Sequence, residues 1–172
     1  QMDETAMCSR GVSDQKAYTI YNMGKAGFNL DASINSMVKA DNTTTLATGS
    51  SWAGGTAPGS ADYMIFDSTY TQTGALDTGA AMTVVGLRVT SGSNLVDVNN
   101  TSGTLTVGAL GIDMSGATRD LTVAGLGISG SQNWNIATGR TFTAGASSAL
   151  TGAFGITKMG AGTAILGGSN TY

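Results

Sequence analysis

The chain has 172 residues, one domain's worth, with 11% charged residues, 26 glycines, one proline, no histidine and a net charge of −3. That composition excludes histidine-based acid–base catalysis and histidine metal ligation, a charged helical bundle, and a nucleic-acid groove, which needs clustered Lys and Arg rather than eight scattered basic residues. It also excludes a disordered chain: apolar residues are 41%, separated by Gly, Ser, Thr and Asn, a mixture that suits short strands joined by tight turns.

Taken in chain order, residues 1–25 hold Met2, Met7, Cys8, Tyr18, Ile20, Tyr21 and Met23. Ala17, Ile20, Tyr21 and Gly24 suit a short helix with Ser13 as N-cap, and Tyr18 to Tyr21 reads equally as a strand. The single cysteine, Cys8, is either a half-buried apolar residue or an intermolecular thiol. The chain opens on Gln1-Met2, which we read as the product of signal-peptide removal, so the expected location is extracellular, at a bacterial cell surface. No run of 18 apolar residues is present, so no membrane span is expected.

Residues 26–38 alternate with period two. Ala26, Phe28, Leu30, Ala32, Ile34 and Val38 share one face, and Asn29, Asp31, Ser33 and Asn35 the other. Such a strand reaches about 43 Å. It either packs along its own domain or is an arm that adds to a neighbouring subunit. Residues 41–61 read as a loop leading into the body. The expected organisation is therefore an N-terminal arm over 1–40, this loop over 41–61 and a body over 62–172.

Beyond Asp62, apolar pulses recur every eight to ten residues, among them Tyr63-Ile65, Met82-Val84, Leu87-Val89, Leu95-Val98, Leu105-Val107, Leu121-Val123, Trp134-Ile136 and Ile165-Leu166. The segments LTVGALGI (105–112) and LTVAGLGI (121–128) nearly repeat, and TLTVG (104–108), TFTAG (141–145) and TAILG (163–167) share a second pattern. Pulses this short hold only when stacked at about 4.8 Å, each backbone group pairing with the coil above and below. About 20 residues per coil gives about five coils over the body. The expected fold is all-β, a parallel β-solenoid with an extended N-terminal arm. An antiparallel β-sandwich with an exchanged strand is the competing architecture.

The stretch ITKMGAGTAILGGSNTY (156–172) resembles the autotransporter-associated β-strand repeat of bacterial secreted surface proteins, through Thr157, Lys158, Gly160, Gly162, Thr163, Leu166, Gly168, Asn170, Thr171 and Tyr172. Ala164 stands where that repeat usually has a larger apolar residue. Residues 52–66 are more loosely similar to the segment that opens the helical part of such proteins. The resemblance implies a right-handed parallel β-helix, secreted, displayed at a cell surface and without enzymatic activity.

Candidate chemistry is thin. Gly125-Leu-Gly127-Ile-Ser-Gly130 has the spacing of a dinucleotide fingerprint but leads into SQNWNIATG, which is not helical. Asp97, Asn99 and Asn100 read as turn caps before calcium ligands. Asp113, Arg119 and Asp120 are the candidates for a polysaccharide-cleaving cluster, with Arg119-Asp120 better read as a solvated turn pair. Trp52 and Trp134 read as core or cap residues before sugar platforms. No catalytic residue, cofactor or metal is expected.

The leading expectation is a non-catalytic structural subunit of an extracellular filament, a homopolymer assembling head-to-tail through strand edges and the arm. Its subunit contacts are expected at Phe28, Leu30, Ile34, Val38, Leu166 and Tyr172, with Cys8 as a possible intermolecular thiol. The alternative is an adhesin or passenger-type module that binds surface glycans or matrix.

Overall fold

The computed structural model describes residues 34–145 and 150–170. Cys8, Phe28, Leu30, Tyr172 and the expected short helix at 13–24 lie outside the described residues. Eleven strands and one 3-10 turn, Gly49–Ser51, make up the regular structure described, with no α-helix among these residues.

The strands stack into three faces. The first face carries β1 (Ser36–Val38), β2 (Tyr63–Phe66), the second half of β3 (Met82–Val89), the second half of β5 (Leu105–Met114), β8 (Gln132–Ile136) and β10 (Ile156–Met159). The second is built from the first halves of β3 and β5 with β7 (Leu126–Ile128), bridged to Thr151. The third holds β4 (Val96–Val98), β6 (Leu121–Val123), β9 (Thr141–Ala144) and β11 (Thr163–Leu166). Each of these strand pairs is parallel. The chain is therefore a parallel β-solenoid of about six turns, and the antiparallel sandwich is excluded.

Parallel register lines up like side chains in columns. On the first face Met37, Met64, Leu87, Ile112, Trp134 and Lys158 succeed one another, at steps of 27, 23, 25, 22 and 24 residues. On the third, Leu76, Val98, Val123, Ala144 and Leu166 do so at steps of 22, 25, 21 and 22. One core cluster takes in both columns down to Trp134 and Ala144. Burial of these side chains, at about 25 cal/mol per Å2, is what holds strands of three to five residues in place.

Two sequence expectations change here. The stack begins at Ser36, within the stretch read as an arm, which makes six rungs rather than five. The near-identical segments at 105–112 and 121–128 do not stack on each other. A turn takes 21 to 27 residues, so a 16-residue offset puts Leu121–Val123 on the third face, while Leu105 and Val107 pair with Leu126 and Ile128. TFTAG and TAILG, 22 residues apart, do stack, Thr141 on Thr163 and Ala144 on Leu166.

The bend between the first and second faces needs glycine. Gly111 has φ +65°, and a Cβ there would sit 2.2 Å from the Asn133 carbonyl oxygen of the next rung.

Candidate functional site

The residues singled out for chemistry do not converge. Asp113 pairs with Arg88 at 3.3 Å on the outer side of the first face. Asp120 lies 3.8 Å from Arg140 and accepts the Thr141 amide at 2.9 Å. Arg119 is not a solvated turn residue. It is 2% exposed, and its guanidinium donates to the carbonyls of Tyr70, Asp67 and Ser91, tying together turns of successive rungs. Burial pushes its pKa below the ordinary arginine value. The Gly125–Gly130 motif contains β7, so its glycines open no helix. Asn100 donates to the Gly125 carbonyl, as a turn cap does. Among the described residues, no group of three acidic or cysteine side chains is placed to hold a metal ion. No helix among them is long and apolar enough to cross a membrane.

Both tryptophans are core residues. Trp134 is 1% exposed, donates to Gln132 Oε1 at 2.9 Å and meets Phe142 edge-on at 4.8 Å. Trp52 is 2% exposed and donates to the Leu46 carbonyl at 2.7 Å. A groove of about 430 Å3 on the outer side of the bend gathers Ser131, Asn133 and Thr157.

The two ends of the stack differ, and this contrast is the principal feature of the molecule. At the first rung, the Lys39 amide turns towards β2, so Val38 and Ala40 turn their backbone groups away from it. Residues 51–53 cross there antiparallel: Ala53 donates to the Val38 carbonyl, and Ala40 to that of Ser51, each at 2.9 Å. The Ser51 hydroxyl bonds the Thr44 carbonyl. Lys39, fully buried, donates to the Ala40 and Asn42 carbonyls and to Asn42 Oδ1, and its ammonium lies 5.2 Å from the centre of the Tyr70 ring. Burial pulls its pKa down to about 8. This edge is closed by the chain's own hydrogen bonds.

Ile34 and Val38, expected to contact a neighbour, pack in this chain against Tyr63, Ile65, Val85 and Leu110 on the outer side of the first face.

At the last rung the pattern inverts. The outward column of the third face runs Asp97, Thr122, Thr143 and then Ile165, which is 48% exposed. On the first face the outward column runs Arg88, Asp113, Asn135 and then Met159, 36% exposed. Leu166, whose column is otherwise buried, is 40% exposed at its foot. Thr163 and Gly167 donate to the Arg140 and Ala144 carbonyls of the strand above, so by alternation Ala164 and Leu166 point their N–H and C=O groups to the open side. Sequence patterning located this strand but gave no sign that its outward position breaks the polar column, because the column exists only once the register is known.

Comparison of the chain with protein-family models, with curated proteins and with solved structures finds no match.

Proposed function

We propose that the chain is a non-catalytic structural subunit of an extracellular, cell-surface filament, associating with its own kind through the open last rung and the N-terminal arm. The observation that supports this is the apolar last rung, with Met159, Ile165 and Leu166 exposed where the rungs above place polar or buried residues. A strand edge with free backbone groups and apolar side chains is a template for further pairing. The resemblance of 156–172 to a repeat of secreted surface proteins supports the location. Because the first rung's edge is bonded by residues 51–53, it offers no strand edge at Val38 and Ala40, and the arm is left as the N-terminal contact.

Negative-stain imaging of the purified chain tests the reading. Regular fibres are expected, and deletion of residues 1–33, which spares β1, should leave a body without fibres. Monodisperse single particles from the intact chain would overturn it. The groove at Ser131, Asn133 and Thr157 favours the second reading, a glycan-binding module, since it sets one amide and two hydroxyls on a rigid sheet. Clear hits on a glycan array that vanish on Asn133→Ala, with no fibres, would favour that module.

A further inference from the structure

We propose that the open edge of β11 is occupied by β11 of a second copy, antiparallel, across a two-fold axis through Ile165. This inference rests on the self-association proposed above and specifies its geometry. It replaces the single-polarity, head-to-tail order expected from the sequence with a tail-to-tail pair.

The occupant must bring an extended strand with unpaired backbone groups. The first rung of another copy does not supply one at Val38 and Ala40, because both are bonded by that copy's residues 51–53. Its last rung does. Of the two edges there, the first-face edge is guarded. By the same alternation, the Gln132 amide bonded to the Gly155 carbonyl leaves Ile156 and Lys158 facing the open side of β10. Lys158 stands in the inward column below Trp134, with its ammonium held by the Gly160 carbonyl at 2.7 Å. A cation turned inward at an edge deters a further strand. The β11 edge carries no charge: it reads Thr163, Ala164, Ile165, Leu166.

The register follows from which groups are free. Ala164 and Leu166 face the open side, so an antiparallel copy pairs Ala164 with Leu166 of its mate, each pair exchanging both hydrogen bonds. That places Ile165 opposite its own symmetry mate as a non-hydrogen-bonded pair, side chains on the same outward face. On the inward face, a small residue from one copy meets a large one from the other, and the exposed foot of the Leu166 column is covered. The contact uses the same patch twice and closes on itself as a pair. In a filament these pairs are joined through their arms.

A cysteine cross-link tests the register. Opposed Cβ atoms in a non-hydrogen-bonded antiparallel pair lie about 4.5–5.5 Å apart, close to disulfide geometry. In the full chain with Cys8→Ser to remove the native thiol, Ile165→Cys under mild oxidation should run mostly as a dimer on a non-reducing gel. Met159→Cys, outward on the guarded edge, should stay monomeric. Ile165→Lys should lose the pair in sedimentation. Position 165 is exposed, so these variants keep the fold, which circular dichroism checks. If the parent associates but Ile165→Cys does not cross-link, or Met159→Cys cross-links as well, another strand such as the arm holds the edge, and the tail-to-tail pair is wrong while self-association stands. If the parent sediments as a monomer throughout, both proposals fall.

Discussion

Arg119 shows how one side chain can hold several turns of a solenoid. Its guanidinium satisfies carbonyls at Tyr70, Asp67 and Ser91 that sequence separation alone would leave to water. Arg119→Met keeps the bulk and leaves those acceptors unpaired, at roughly 1–3 kcal/mol for a buried group. We expect a loss of about 3 kcal/mol or more, read from urea unfolding; a change under 0.5 kcal/mol would show that water replaces the guanidinium freely. Nothing in the sequence marked this role. Arg119-Asp120 has the composition of a solvated turn, and its partners lie 28 to 52 positions away. Lys39 is the second buried cation, and its sign is opposite to that of a salt-bridged lysine. Its folded pKa, about 8, lies below the unfolded value of about 10.4. Between those values the unfolded chain binds more protons, so stability rises with pH over that window and is flat below it. The urea midpoint should climb from pH 8 to 10 in the native chain and not in Lys39→Met. Equal slopes in the two would place the titration elsewhere.

At the scale of the strand, position in the stack decides what a side chain contributes. Phe142 in β9 is fully buried between Leu121 above and Ala164 below, with Trp134 at its edge. Leu166 in β11 occupies an equivalent inward position but has no rung beneath it among the described residues. Phe142→Ala should cost about 3–5 kcal/mol and Leu166→Ala about 1 kcal/mol in dilute solution, where the pair is dissociated. Comparable losses would mean that the last rung is covered in the monomer. The strands themselves were legible because each apolar pulse is an inward set with glycine or polar turns between. Their pairing was less so. The copies at 105–112 and 121–128 look stacked by similarity, yet stacking follows the length of a turn, and only the 22-residue offset of TFTAG and TAILG matches it. The closing segment at 51–53 was hidden for a related reason. It acts through backbone hydrogen bonds, which leave no periodic trace, and Trp52 among small polar residues was its sole sign.

For the molecule as a whole, the unequal ends imply a gradient. In a stack where each rung touches only its neighbours, stability is a sum of rung and interface terms, and a rung with one neighbour opens more readily than one with two. The first rung gains a second neighbour from residues 51–53, whereas the last has none in the isolated chain. Backbone amides of β3 and β5 should therefore exchange slowest, and those of β10 and β11 fastest. Raising the concentration separates the two edges of the last rung. If β11 meets its own copy, the amides of Ala164 and Leu166 become protected, because these groups face the open side. Ile156 and Lys158, facing the open side of the guarded edge, stay exposed to water. Residue-resolved hydrogen exchange at low and high concentration reads both in one experiment. Protection that spreads equally to β10 would mean a continuous rung laid across the whole end, and protection at neither edge would mean that association leaves the last rung bare.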